Sequence, residues 1–198
     1  MSVGARAAWL VVAFSSCWLA CISRPKLPLE PLALGARERL PIAIELRLDP
    51  ALSTVRWKWG DYELLPAKNF SQQAEEVARA AFADVVVAST GSTTATPNPN
   101  GTGLPTLHLE LVAYLPSMSL WAGQEQVHTV LLKWKLVDAG GRLVWIETIQ
   151  GEDKGAMGTS TSQDDKAANV ASGAIRDGMR RSYKVMVSSV ELQRFERR

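Results

Sequence analysis

The sequence predicts an α+β fold, in which two helices pack on one face of a mostly antiparallel sheet of about four to six strands. Three observations predict this two-layer sandwich. Several segments alternate apolar and polar residues with the period of a half-buried strand, and two longer segments repeat apolar residues at helical spacing. These segments follow one another in the order β-α-β-β-β-β-α. Since a helix and a sheet each have one apolar side, the two layers must bury those sides against each other.

The first half of the predicted domain is a β-α-β unit. Residues 40–49 have apolar side chains at every second position from Ile42 to Leu48, which is typical of a half-buried strand. Residues 69–82 repeat apolar residues at helical spacing, and Asn69 is predicted to cap this helix. Residues 84–89 are a short β-branched run, which indicates a buried strand.

The second half predicts three antiparallel strands followed by a long helix. Residues 106–115 and residues 127–138 alternate, and residues 143–150 form the second arm of a hairpin after an Asp-Ala-Gly-Gly turn. The final helix is predicted to run from Asp164 to about Ser188. Its inward stripe consists mostly of small residues, which suits close packing on a sheet.

Polar segments separate these elements. Residues 90–105 and residues 151–163 are rich in small and polar side chains and are predicted loops. A further short strand is predicted at residues 62–65. Residues 40–189 therefore form a single predicted domain, and residues 190–198 are predicted to be a charged tail that frays.

The chain begins with the pattern of a secretory signal, predicted to occupy residues 1–20. Arg6 precedes an apolar run over residues 7–14 and then small residues that lead to Cys21. The apolar run is shorter than the roughly 20 residues that a membrane-spanning helix needs. With Cys21 directly after a Leu-Ala pair, the segment resembles the signal of a bacterial lipoprotein. The resemblance implies cleavage before Cys21 and attachment of lipid to its thiol and amine.

The cleavage site and the class of signal stay open. Trp18 stands where the lipoprotein pattern usually has Leu, Val or Ile, and Cys17 follows two serines, which makes it a second candidate cleavage site. An ordinary signal peptide and an uncleaved anchor are also compatible with the segment. Cleavage before Cys21 would leave the mature chain one cysteine and no disulfide. Because Ile22 is not the aspartate that the family's sorting rules associate with the inner membrane, the resemblance implies the periplasmic face of the outer membrane.

Residues 21–39 hold three prolines and are predicted to be an extended tether between the lipid and the domain. The alternative is a segment that lies on the surface of the domain, because leucines recur along it. These leucines are Leu27, Leu29, Leu32 and Leu34.

Composition excludes one class of partner. Hydrophobic residues make up 46% of the chain and charged residues 21%, which is typical of a globular domain, and the formal net charge is +2. With so little excess charge and an envelope location, no nucleic-acid partner is predicted. The predicted contact with a membrane is through the lipid on Cys21.

Three residues are candidates for catalysis or metal binding. His108 and Glu110 share one face of a predicted strand and His128 lies on the next strand, so together they form a ligand set that zinc accepts. Their spacing matches no metal motif, and the competing interpretation is a solvated polar face. The G-x-S-x-G, H-E-x-x-H and P-loop patterns are also absent. We therefore predict a protein that is not an enzyme, with no catalytic residue, metal or cofactor. A periplasmic hydrolase or metal-binding protein that uses these three residues is the alternative.

Three tryptophans are candidates for contact with a membrane or a partner. Trp57 and Trp59 alternate with Arg56 and Lys58, so both indoles lie on one side of the segment and both cations on the other. Trp121 lies in a predicted turn. The competing interpretation is that these tryptophans pack into the core.

The order of features over residues 40–189 resembles a group of poorly characterised bacterial lipoproteins. These features are the first strand, a turn at residues 60–61, a helix that leads into a strand over residues 81–87, a hairpin at residues 136–142 and a final helix. The same order is similar to the lipopolysaccharide-assembly lipoprotein that plugs its outer-membrane barrel, and to transporter-auxiliary lipoproteins. The resemblance implies a non-enzymatic accessory or binding component of outer-membrane assembly or envelope transport, with an envelope protein or lipid as its partner.

Overall fold

The structure is a computed structural model, and strands and helices make up most of the residues it describes. The described residues are 22–35, 39–59, 62–88, 103–119, 125–156 and 163–195. Their strands are β1 (Leu40–Leu48), β2 (Trp57–Trp59), β3 (Tyr62–Leu64), β4 (Phe82–Val87), β5 (Thr106–Ser119), β6 (Glu125–Val137) and β7 (Leu143–Ala156). Their helices are α1 (Ala51–Thr54), α2 (Ala67–Ala81), α3 (Gln163–Ser188) and α4 (Val190–Phe195).

Five of these strands form one sheet in the order β4-β1-β5-β6-β7, and β2 pairs with β3 in a separate hairpin. Strand β1 runs parallel to both β4 and β5, whereas the longer pairings of β5 with β6 and of β6 with β7 are antiparallel. Helix α2 packs on β1 and β4, helix α3 packs on β6 and β7, and the two helices contact each other. The predicted α+β fold is confirmed.

Alternate side chains of the central strands are buried against the helices. Strand β6 shows this along its whole length, because every second residue from Gln126 to Leu136 is buried. The indole of Trp134 is fully buried and donates a hydrogen bond to the Ser182 hydroxyl of α3 at 2.9 Å. A large aromatic side chain therefore fills the space between the layers while its polar N–H keeps a partner.

Helix α3 approaches β7 closely because glycine lines their contact. A side-chain carbon at Gly151 of β7 would overlap the backbone of Ala174 and Gly178 in α3. A side-chain carbon at Gly155 would overlap Val170 in the same way. The predicted stripe of small residues thus brings the helix backbone next to the sheet, and larger residues would push the layers apart.

Strand β5 departs from the predicted alternation at Val112. Its pairing with β6 shifts between Leu111 and Ala113, which is a β-bulge. The sequence places Ala113 on the same face as Leu111, but the extra residue reverses the alternation beyond it. As a result Tyr114, rather than Ala113, points toward the helices.

The start of α2 also differs from the prediction. The helix begins at Ala67, and Pro66 occupies the N-cap position without a side-chain hydrogen bond. Asn69 is buried one turn further on, where its amide donates to the carbonyl of Pro28 at 2.9 Å. Asn69 therefore bonds a neighbouring segment and does not cap its own helix.

The last two elements extend further than the sequence predicts. Strand β7 continues to Ala156, into the predicted loop at residues 151–163, because β6 supplies partners that far. Part of the predicted tail forms helix α4, and Leu192 of this helix is fully buried.

Residues 22–35 lie on the domain. Leu32 is fully buried, and its carbonyl accepts a hydrogen bond from the Arg180 guanidinium of α3 at 2.7 Å. At the start of the segment, Ser23 pairs with Tyr62 of β3. The structure therefore supports the second interpretation of this segment, in which it packs on the domain surface.

The predicted signal peptide at residues 1–20 and the predicted lipidation site Cys21 lie outside the described residues. Within the described stretches of the chain, no helix has the length and apolar character required to cross a membrane.

Candidate interaction surface

The face of the sheet opposite α2 and α3 forms a surface of the domain, which we call the outer face. The pairing of the strands brings the following residues to it: His108, Glu110, Ala113 and Leu115 from β5, and Val127, Thr129, Leu131, Lys133 and Lys135 from β6. The bulge at Val112 divides this surface into two parts of different chemistry.

The charged half of the outer face consists of Glu45, Arg47, His108, Glu110, Lys133 and Lys135. Lys135 donates a hydrogen bond to Glu110 at 2.9 Å, and the Lys133 ammonium lies 3.8 Å from the same carboxylate oxygen. The hydrogen bond from Lys135 lowers the pKa of Glu110 below its ordinary value, against the smaller opposing effect of partial burial. These charged side chains therefore pair with one another within the protein.

His108 belongs to the same charged half. It lies between Arg47 of β1 and Lys135 of β6 in the sheet. Burial lowers the pKa of His108, and the charges of Arg47 and Lys135 lower it further. At neutral pH the ring is uncharged and lies between two cations. The carboxylate of Glu110 accepts its hydrogen bond from Lys135 rather than from His108.

The apolar half of the outer face consists of Val112, Ala113, Leu115, Val127 and Leu131. Val112 is 48% exposed and Leu115 is 54% exposed, so two large apolar side chains of this strand face solvent. The outward residues of β5 and β6 in this region carry no charge, whereas Glu152 and Lys154 of β7 pair with each other and border it on the same face. The bulge creates this surface, because it turns Leu115 outward and exchanges it for Tyr114.

On the opposite face, the same part of β5 and β6 holds a buried polar contact. A hydrogen bond of 2.7 Å joins the Tyr114 hydroxyl and Nδ1 of His128. The ring of Tyr114 stacks on Trp57 with centroids 3.6 Å apart and an interplanar angle of 6°, and Phe70 meets Trp57 edge-on. This part of the core is therefore packed with aromatic rings.

Burial controls the titration of these groups. It lowers the pKa of His128 to about 4, so the imidazole is neutral at pH 7. Burial also raises the pKa of the nearby Tyr62 to about 12, and the charge of Asp164 adds to the increase, while the side chain of Gln126 acts in the opposite direction. The pKa of Tyr114 is raised for the same main reason. Burial therefore keeps all three side chains in their uncharged forms at neutral pH.

The sheet separates the predicted catalytic or metal-binding residues. His108 and Glu110 lie on the outer face, whereas His128 is fully buried on the inner face. Within the described residues, no group of three or more His, Cys, Asp and Glu side chains is placed to hold a metal ion. The candidate cluster of His108, Glu110 and His128 is therefore wrong, because neighbouring strands present their histidines to opposite sides.

The predicted tryptophan contacts have different outcomes. Trp57 is 5% exposed and packs in the core, as its competing interpretation stated, so it is not a surface contact in this fold. Trp59 ends β2, but its side chain lies outside the described residues, as does the whole of Trp121.

The apolar half was not among the predicted sites, although the sequence contains a signal for it. Residues 111–115 are all apolar, which breaks the alternation on either side of them. An uninterrupted apolar run in an otherwise half-buried strand indicates either burial on both faces or a bulge. Only the pairing with β6 distinguishes these two outcomes.

Two bacterial proteins are among the solved structures that are similar to this chain. No family model matches the chain, and no curated protein matches it. A Xanthomonas campestris protein of the family DUF330 is 14% identical with a TM-score of 0.47, and the match covers 88% of this chain and 96% of that one. A minor lipoprotein from Acinetobacter baumannii is 12% identical with a TM-score of 0.47, and the match covers 76% of this chain and 94% of that one. Likeness at this level does not extend to function.

Proposed function

We propose that the protein is a non-enzymatic lipoprotein of the bacterial envelope that binds an envelope partner through the apolar half of its outer face. In this role it is an accessory component of outer-membrane assembly or envelope transport, anchored at the periplasmic face of the outer membrane. The observation that carries the proposal is the exposure of Val112 and Leu115, three residues apart on β5. Exposed apolar surface of this kind costs free energy in water and marks interaction sites.

The anchor in this proposal is lipid on Cys21, and it rests on the signal-like pattern of residues 1–20. Two or more acyl chains hold a protein stably on a membrane, whereas one chain binds only marginally. Residues 22–35 pack on the domain, and Ser23 already pairs with Tyr62. The anchor therefore leaves little free chain, and the domain works close to the membrane surface.

The anchor is tested by mass spectrometry of the protein extracted from membranes. We expect the first peptide to begin at Cys21 and to carry acyl chains. Cys21→Ser should move the protein from the membrane fraction to the soluble fraction. An unmodified N-terminus at another residue, or membrane retention of Cys21→Ser, would contradict the lipoprotein assignment.

The docking surface is tested by photo-crosslinking in cells with the full chain. A photoreactive residue at Leu115 should give one adduct of discrete mass, which Val112→Ser should weaken at least about fivefold. The matched control is a photoreactive residue at Ile146, which is 44% exposed beside the charged half. Equal adducts from both positions, or no effect of Val112→Ser, would argue against docking at the apolar half.

A further inference from the structure

Cationic side chains gather where the first described residues meet the β2–β3 hairpin. The backbone N–H of Glu63 donates to the carbonyl of Ser23 at 2.9 Å. This pairing places Arg24 beside the Glu63 side chain, where its Nε donates to the carboxylate at 2.9 Å. Lys58 lies directly opposite Glu63 in the hairpin, and Arg56 approaches the carboxylate to 3.5 Å. Chain segments distant in sequence thus bring cations around one carboxylate.

The charges in this cluster do not balance. The Glu63 side chain is 3% exposed, whereas those of Arg24 and Arg56 are 57% and 59% exposed. Lys58 is exposed as well, and so is Lys26, two residues after Arg24. Solvent therefore meets the three cations beside Glu63, with exposed Lys26 next to them in sequence, while the carboxylate that partly neutralises them is covered.

The carboxylate stays ionised. Burial by itself would raise the pKa of Glu63, but the hydrogen bond from Arg24 and the charges of Arg24 and Arg56 outweigh it and lower the pKa. Glu63 thus holds both guanidinium groups in place by one contact each. A guanidinium has five donors, so most of the donors of each arginine remain free for a second anion.

We propose that this cluster, composed of Arg24, Lys26, Arg56 and Lys58, binds the phosphate groups of an anionic lipid surface and holds the β2–β3 hairpin against the membrane. The inference rests on the proposed lipid anchor in one respect. Arg24 follows Cys21 by three residues, so the lipid-bearing residue lies at most roughly 11 Å of extended chain from the cluster. At that distance the cluster reaches the headgroup layer of the membrane that holds the lipid.

The shape of the cluster favours a lipid surface over a single small anion. The four side chains come from two separate segments and remain exposed, rather than converging on one enclosed site. A membrane offers many phosphates in a plane, so each cation can bind its own headgroup and add to the attraction. The chain as a whole has a net charge of only +2, so the attraction is local to this end of the molecule.

The test compares lysines within one molecule. The protein extracted from membranes is reconstituted into vesicles of phosphatidylcholine, with or without phosphatidylglycerol, and treated with a water-soluble acetylating reagent. Mass spectrometry then gives the labelling rate of each lysine. We expect phosphatidylglycerol to slow the labelling of Lys26 and Lys58 at least about fivefold, and 1 M salt to abolish the effect because it screens the attraction. Exposed Lys68 of α2 and Lys184 of α3 are the internal controls and should be labelled at equal rates in both kinds of vesicle.

A variant checks the same point independently. Lys58→Gln removes a cation that forms no ion pair among the described residues, so it should leave the fold intact while weakening the protection of Lys26 about fivefold or less. Equal protection of all four lysines, or protection in pure phosphatidylcholine, would overturn the proposal. Protection by inorganic phosphate without vesicles would overturn the lipid surface as the ligand and indicate a free-phosphate site.

This result is distinguishable from a failure of the proposed function. If Cys21 carries no lipid, the protein can be added to the outside of the same vesicles, and selective protection of Lys26 and Lys58 would still support the cluster. If the lysines show no protection while crosslinking at Leu115 persists, the cluster is wrong and the docking surface remains.

Discussion

His108 and His128 lie on adjacent strands of one sheet, but their side chains lie on opposite faces in different surroundings. His108 is half-buried on the outer face between Arg47, which pairs with Glu45, and Lys135, which pairs with Glu110. His128 is fully buried on the inner face, where it bonds Tyr114 beneath an aromatic stack. The inner face therefore provides the stability of the domain, and the outer face is free to make contacts.

The two faces should differ most in the cost of removing a leucine. Leu132 is fully buried on the inner face, and its neighbour Leu131 is half-buried on the outer face. We expect Leu132→Ala to lower the free energy of unfolding by about 2–5 kcal/mol, because it leaves a cavity that the layers cannot close. Leu131→Ala should cost less than about 1.5 kcal/mol. Urea unfolding followed by circular dichroism measures both, and similar costs would mean that the outer face is also covered.

The two histidines should also differ in how they make stability depend on pH. The pKa of folded His128 is about 4, below the roughly 6.5 of an unfolded histidine, so the unfolded state binds more protons between these values. Stability should therefore fall as the pH decreases below about 6.5, and this contribution should level off below about pH 4. Between pH 7 and pH 4.5 we expect the free energy of unfolding to fall by roughly 2 kcal/mol more for the unaltered protein than for the His128→Gln variant.

The control for this pH effect is His108→Gln. The pKa of His108 is lowered in the same direction, but its ring is only half-buried and solvent reaches it. Its removal should change the pH profile less than the removal of His128 does. The assignment of the effect to the inner face is refuted if both variants flatten the profile equally.

The smallest effect should come from the ion pairs of the charged half. Glu110→Gln removes the contacts with Lys133 and Lys135, all partly exposed, and should cost below about 1 kcal/mol. High salt should reduce that cost further, because it screens exposed charges. The matched variant is Glu45→Gln, which removes the pair with Arg47 on the same face. A larger or salt-independent cost would show that solvent reaches these ion pairs less than the exposed fractions of their side chains indicate.

Much of the architecture could be predicted because it depends on local periodicity. The alternation of β6 and the small-residue stripe of α3 both correspond to buried surfaces in the structure. Burial of alternate residues leaves a period of two, and burial of one helix side leaves a period near 3.6, so both are visible without coordinates. These patterns were enough to predict the layers and most of the elements.

The candidate site could be predicted only in part. The sequence grouped His108 with His128, but His108 pairs with Lys135 of β6, whose side chain faces the opposite side from that of His128. Asparagine is a residue type that often caps helices, yet Asn69 donates a hydrogen bond to the carbonyl of Pro28, about 40 residues away in sequence. Glu63, Arg24 and Arg56 have no common sequence pattern, and they meet because Ser23 pairs beside β3. Contacts between distant segments leave no periodic signal in either segment.

The sequence by itself determined the fold class, the approximate positions of the main helices and strands, and the signal-like pattern that ends at Cys21. These follow from periodicity and composition, which act over a few neighbouring residues. The tertiary structure alone decided that Leu115 faces solvent while Tyr114 is turned inward, that residues 22–35 pack on the domain, and that Arg24 joins the β2–β3 hairpin. The physical reason is register, because a shift of one residue in strand pairing exchanges the two faces of a sheet without changing the residues along the strand.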